Sequence, residues 1–201
     1  MKEAGDHMSE QYASIRNTNK WETKTLVTLA LLCAISVILS FVEFPLIPGI
    51  AWLKYDPSCM PAMVAGFAFG PAAGLACGLI SALIHGMIMA DWVGALMTGI
   101  VVAAMVVPSA ALYRKNRTLK GAIIGLIISI ICTLVAAIVS NLIIDPLYLG
   151  MPFEAVAALV VPALLPFNLA KACLNSVLTV IVYKSISNLI TPKKNQVKGR
   201  S

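Results

Sequence analysis

With 201 residues, 59% of them hydrophobic, only 12% charged and a mean hydropathy of +0.88, the chain departs from soluble domains, which carry about a quarter charged residues. At ~20 residues per span plus loops, this length predicts a polytopic membrane protein of five to seven spans in one domain and leaves no room for a separate soluble one. The net charge of +6 does not argue for a nucleic-acid partner, because the Lys and Arg residues flank apolar runs, where the positive bias of cytoplasmic loops accounts for them.

Residues 1–24 are polar, carry both signs of charge and end in Lys20 and Lys24, which predicts a cytoplasmic tail with Trp21 near the interface. A first span over 25–42 ends at Glu43. The run 44–57 (FPLIPGIAWLKYDP) then reads as an apolar, proline-rich loop, with Trp52 and Tyr55 at headgroup level. From Ser58 to Leu112 the one charged residue is Asp91.

Charge decides how many spans that stretch holds. Basic residues cluster before the first span, at Arg114–Lys120, and after the last apolar run. If all three clusters are cytoplasmic, an even number of spans separates each pair. One span precedes Ser58, so three must follow: 58–69, short for a crossing, 71–90 and 93–112, divided at Gly70-Pro71 and at Asp91. A fifth span covers 121–144, a loop follows from Asp145 to about Ala155, and the last helix runs 160–189 before a basic cytoplasmic tail, 191–201. The expected architecture is all-α, a six-helix membrane domain over 25–190 with both termini cytoplasmic. All but Lys54 and Lys171 of the 15 basic residues then lie inside, and Glu43, Asp56, Asp91, Asp145 and Glu154 fall at outer ends or loops.

Small residues recur every four positions at Gly70, Gly74, Gly78, Ala82 and Gly86, at Gly121 and Gly125, and at Ala30 and Ala34. Such ridges let helices approach closely. Which ridge faces inward is not set by the pattern.

The chain lacks GxxxxGK[ST], HExxH and GxSxG, so no P-loop, zincin or hydrolase chemistry is predicted. Cys33, Cys59, Cys77, Cys132 and Cys173 stand singly with no CxxC and read as packing residues; no catalytic group, metal site or cofactor is expected, and the chain is read as no enzyme. His7 and His85 lie far apart, and His85 reads as a hydrogen-bonded core residue.

The last span is the exception to this plainness. Asn168, Lys171 and Asn175 fall within an arc of about 60° on a helix, which puts a positive charge on one face inside lipid. Such residues mark a binding site or pathway, or else are paired. By the predicted topology Glu43, Asn141, Asn168 and Lys171 converge near the outer leaflet. Their amides and ammonium suit a neutral heteroaromatic ligand with carbonyls and ring nitrogens, covered by the outer loops. The alternative is a buried pair of Lys171 with Glu43 or Asp145, with Asn168 and Asn175 bridging helices.

The runs FVEFPLIPGIAWLKYDPSCMPAMVAGFAFGPAAG and PFNLAKACLNSVLTVIVYK resemble those of the substrate-binding S components of energy-coupling factor (ECF) vitamin transporters, most like the riboflavin-specific members, over about Lys24 to Ile190. The resemblance implies a vitamin-binding subunit in the cell membrane that works with a transmembrane coupling protein and two ATPase subunits. It also implies that riboflavin's ring is held by Glu43, Asn141, Asn168 and Lys171, and that Ala30 and Ala34 meet the coupling protein. One departure is Ile84-His85, where many riboflavin-specific members carry Lys-Asn. Other readings of the same residues are an S component for a different vitamin or a purine-like compound, a small intramembrane enzyme moving protons through Glu43 or Lys171, and a membrane assembly subunit.

Overall fold

Long apolar runs interrupted only by Gly, Pro and a few charges fold here as helices, as a computed structural model describing residues 23–190 shows. The expected tails, up to residue 22 and from 191, lie outside the described residues, and with them His7 and Trp21. In chain order the elements are α1 (Thr23–Ser40), β1 (Phe44–Pro45), β2 (Lys54–Tyr55), α2 (Cys59–Phe69), α3 (Pro71–Met89), α4 (Trp92–Lys115), α5 (Leu119–Leu149), α6 (Phe153–Ala158), a π-helical turn (Val160–Leu164) and α7 (Leu165–Ile190).

Five of the helical segments are long and apolar enough to cross a membrane; α2, with 11 residues, is not. At 1.5 Å per residue it spans roughly 16 Å, about half a hydrocarbon core. Its burial explains how so short a helix is tolerated: Pro61 through Ala68 are all buried, so α2 lies inside the bundle and not against lipid. Its Met63 and Phe67 build the main core with Met105, Tyr113 and Tyr183. The exposed face of α5 carries Ile123, Ile127, Ile131, Val135, Val139 and Ile143 every four residues, an apolar stripe of roughly 30 Å that suits lipid.

Short connections make neighbours antiparallel. Gly70, at φ 109° and ψ 168°, turns α2 into α3, a conformation open to glycine alone, and Pro71 begins the next helix, where its missing N–H costs nothing. Asp91 caps α4 by accepting the Gly94 N–H at 2.8 Å. Thr118 does the same for α5 through the Gly121 N–H at 3.1 Å.

The glycine ridge of α3 faces inward. A Cβ at Gly74 would lie 2.6 Å from the Ala62 carbonyl oxygen, at Gly78 2.4 Å from Val102, and at Gly86 2.5 Å from Ala95. Gly125 similarly meets the Ser109 carbonyl of α4. Ala30 and Ala34, by contrast, are exposed.

The structure corrects the sequence reading at three places. The run 44–57 is not only a loop: β1 and β2 pair antiparallel, Phe44 with Tyr55 and Pro45 with Lys54, so the chain is not wholly α. This hairpin packs Leu53 and Tyr55 against Val156, Leu164 and Phe167. The loop expected from Asp145 to about Ala155 is helical through Leu149, with Pro146 inside the helix; Gly150, left-handed at φ 65°, closes that helix. Helix α6 then begins at Phe153, so only 150–152 of the expected loop is non-helical. The last helix opens with a π-turn, in which the Leu164 N–H bonds the Leu159 carbonyl at 2.9 Å, two residues after Pro162 withholds its own N–H.

Candidate ligand-binding site

One end of the bundle holds a cavity of about 510 Å³, within the ~300–1,000 Å³ of small-molecule sites. Glu43, Asn141, Asn168 and Lys171, the four residues singled out in the sequence, all line it. They come from three places: the connector after α1, the C-terminal part of α5 and the start of α7. Trp52, Tyr148 and Phe167 add aromatic surface to the wall.

Two ion pairs organise its charge. The Lys54 ammonium contacts the Glu43 carboxylate. Lys171 Nζ lies 2.8 Å from Asp56 Oδ2 and 3.4 Å from the Lys54 carbonyl oxygen. Lys171 is therefore paired, but with neither Glu43 nor Asp145. Asn175 reinforces this arrangement from behind: its Nδ2 donates to the Asp56 carbonyl at 3.3 Å and to the Lys171 carbonyl at 3.1 Å. It is wholly buried, does not line the cavity, and keeps a buried Oδ1 without a partner.

Asp56 also accepts from the Ser58 backbone N–H at 3.0 Å and from the Ser58 hydroxyl. Burial alone would raise its carboxyl, but the Lys171 ammonium and the Ser58 donors outweigh that and hold it below the usual carboxylate range. Tyr55 next to it is pushed up, first by burial and then by the Asp56 charge.

Asn141 and Asn168 each spend one amide N–H on the carbonyl four residues back, Ala137 at 2.6 Å and Leu164 at 2.8 Å. Their carboxamide oxygens make no hydrogen bond among the described residues, so each has acceptor capacity to offer.

His85 sits on the cavity wall. Nδ1 is 3.2 Å from the Ser40 hydroxyl, Nε2 is 3.9 Å from Glu43 Oε2, and the ring stacks on Phe41 at 5.0 Å between centroids. The hydrogen bond expected of it is present, but its position beside Glu43 makes it part of the site. Asp91 and Asp145 also line the cavity. Among the described residues no three His, Cys, Asp or Glu side chains gather as a metal-binding group.

Sequence reasoning missed Asp56 as the partner of Lys171. A signal was available: Lys54 and Asp56 are the two charges in the otherwise apolar run 44–57, and charges at membrane depth persist where they are paired. His85 and Asp91 offered less, since neither carries a periodic or motif signal that points into a cavity.

Comparison with known proteins adds to this geometry. The family profile described as "ECF transporter, substrate-specific component" matches residues 24–183. The riboflavin transporter RibU of Staphylococcus aureus (strain TCH60) is 31% identical, over 87% of this chain and 96% of its own length. The riboflavin transporter FmnP of Bacillus subtilis (strain 168) is 26% identical, over 87% of this chain and 97% of its own. Among solved structures, a chain described under "Structure and mechanism of the S component of a bacterial ECF transporter" superposes with a TM-score of 0.74 at 29% identity, covering 86% of this chain and all of that one.

Proposed function

The chain belongs to the family of substrate-specific components of ECF transporters, and from that premise we propose that it binds riboflavin as the membrane-embedded capture subunit of a vitamin importer. The family is a transporter component and not an enzyme. The observation that carries the choice of ligand is the meeting of Glu43, Asn141, Asn168 and Lys171 around one cavity, in a chain whose relatives include two riboflavin transporters.

The chemistry of that wall fits a flavin ring. Lys171 has three N–H donors; one is engaged by Asp56 and a second by the Lys54 carbonyl, so a third is available for a ring carbonyl or nitrogen. The Asn141 and Asn168 carboxamide oxygens accept from a ring N–H. Trp52, Tyr148 and Phe167 supply faces and edges for a flat heteroaromatic system. The hairpin 44–55 contributes Glu43's partner and covers the site. Riboflavin is cargo in this reading, and no cofactor is invoked.

We place the protein in the cell membrane with six helices, both termini cytoplasmic, and the cavity facing out. Support comes from charge: the cavity end carries Glu43, Asp56, Asp91 and Asp145, while Arg114, Lys115, Arg117 and Lys120 gather at the α4–α5 turn. Inward delivery then requires a transmembrane coupling protein and two ATPase subunits, since the chain has no P-loop of its own.

The test is an absorbance scan of the chain purified in detergent from cells grown with riboflavin, followed by titration of the ligand-free protein. Flavin bands near one per chain, with fluorescence quenched on rebinding, are expected. Colourless protein that leaves flavin fluorescence unquenched at micromolar concentration would overturn the ligand, leave the family standing, and turn the search to other vitamins or purine-like compounds.

A further inference from the structure

Glu43 belongs to no helix; it stands in the connector between α1 and β1, so its carboxylate must be fixed by other means against the polar groups of α5 and α7. Lys54 holds one of its oxygens. That pair, however, joins the residue before β1 to β2, within one hairpin, and the Lys54 side chain is 46% exposed. It does not tie Glu43 to the bundle. His85 does: it stands on α3, its Nε2 lies 3.9 Å from Glu43 Oε2, and its side chain is 18% exposed. The ring is itself held, stacked on Phe41 and with Nδ1 3.2 Å from the Ser40 hydroxyl.

The end of α1 decides which ring atoms carry hydrogen. There the Phe41 N–H, which a continuing helix would direct to Val37, goes to Ile38 at 3.2 Å, and the Ser40 hydroxyl donates to the Val37 carbonyl at 2.7 Å. Its one hydrogen is spent. Ser40 can therefore only accept from His85, which puts a proton on Nδ1. Nε2 faces a carboxylate, a second acceptor; a bare nitrogen there would repel it, whereas a second proton makes both ring nitrogens donors. No other charge competes for this place from α1 or α2, which carry none at this end. The hairpin side brings Glu43 and Lys54, the start of α4 brings Asp91, and Asp56, Asp145 and Lys171 complete the charged groups of the cavity.

Resting on the riboflavin reading above, we propose that His85 is a positioning residue for ligand binding: an imidazolium, held in place by Ser40 and Phe41, that ties Glu43 to α3 and so sets where the carboxylate meets the ligand. Hydrogen bonds weaken steeply as distance and angle depart from their best values. Without His85, Glu43 would follow the hairpin through Lys54 alone, and its alignment with Asn141, Asn168 and Lys171 would be lost. The role belongs to this chain's own residue, at the place where the sequence carries Ile84-His85.

The experiment titrates riboflavin by fluorescence quenching into the ligand-free full chain in detergent. His85→Phe keeps a ring to stack on Phe41 but has no donor, and at about pH 6 it should bind riboflavin about tenfold more weakly than the native chain. His85→Gln, whose amide puts a donor near the Nε2 position, should recover most of that loss. Native affinity should fall as the pH rises through about 6 to 8, where histidine gives up its charge, and fall more steeply than in His85→Gln, which shares every other titrating group. In a Glu43→Gln background His85→Phe should cost less than about twofold more, as coupled residues do. Native-like binding by His85→Phe, a loss in His85→Gln as large as in His85→Phe, or matching pH profiles of the native chain and His85→Gln each overturns the proposal. A full tenfold further loss in the Glu43→Gln background overturns it too, since His85 would then meet the ligand itself. Failure of the native chain to bind riboflavin overturns the ligand reading instead, and the role of His85 toward that ligand falls with it.

Discussion

Lys171 is tied to the fold through Asp56 and the Lys54 carbonyl, and its proposed use toward a ligand can be separated from that by substitution. Lys171→Met leaves Asp56 buried beside Ser58 without its cation, which should cost about 2–4 kcal/mol; the figure lies slightly below that of fully buried pairs because the two side chains keep 17% and 14% exposure. Adding Asp56→Asn removes the orphaned charge and should recover most of that loss in a thermal melt. On the proposed riboflavin reading, flavin affinity should not recover with it, because both variants lack the Lys171 donor for a charge-assisted hydrogen bond worth about 1.5–3 kcal/mol. A double variant that regains both stability and tight binding would show that Lys171 serves the fold alone. The same pair sets a pH dependence. Since Asp56 is held below its ordinary range, its ionised form favours the folded state at all pH values above about 4. The stability gap between the native chain and Asp56→Asn should therefore stay level from neutral pH to about 5 and close only as the pH falls below about 4. A gap that closes near pH 6 would mean that the carboxylate is not held down by its partners.

Helix α3 owes its position to the absence of side chains. At Gly74 a methyl group would meet the Ala62 carbonyl oxygen and the Gly66 backbone at 2.6–2.7 Å, and backbone atoms cannot step aside as a rotamer can. Gly74→Ala should thus destabilise by roughly 2–3 kcal/mol despite the better helix propensity of alanine. Gly99→Ala on α4 is the contrast, since its new methyl would meet only the Leu79 side-chain terminus at 3.3 Å; its thermal midpoint should stay within a degree or two or rise. Equal losses from the two substitutions would refute close backbone approach as the cause. These helices also show what the sequence could carry. Each small-residue ridge was legible as spacing, but α2 is apolar on every side, so no periodicity distinguishes core from lipid. Whether Ala30 or Gly74 faced a neighbour was decided by packing between distant segments. Asp145-Pro146 misled in a different way: proline usually marks a helix end, yet the helix continues past it to Leu149. In the site, Lys171 and Asn168 were readable because polar groups in an apolar helix stand out. Asp56 was obscured because its partner lies 115 residues away in the chain.

For the molecule as a whole, the distribution of exposed surface bears on how it would engage partners. Only 17% of α1 is buried, against 33–39% of the other long segments, and its exposed side carries Val27, Leu31, Ile35 and Ile38 around the small notch of Ala30 and Ala34. Lipid alone has no use for a notch, since acyl chains meet leucine as readily as alanine. A partner helix does, because two small residues four apart let backbones come close enough for dense contact. We therefore expect Ala30→Leu with Ala34→Leu to fill the notch at no cost to the isolated chain, whose cavity meets α1 only at its last residue, Ser40. Thermal stability should hold, and flavin affinity should change by less than about threefold, under 1 kcal/mol. On the proposed reading, with the notch as the coupling surface, co-purification with a coupling protein and ATPases, and riboflavin uptake by cells, should fall together, because each leucine prevents close approach of a partner helix. If the double variant still assembles and transports as the native chain does, α1 is a lipid-facing helix and the coupling surface must lie elsewhere on the bundle. Loss of flavin binding by the isolated variant would instead show that α1 transmits strain to the cavity through Ser40 and His85, which already touch at 3.2 Å.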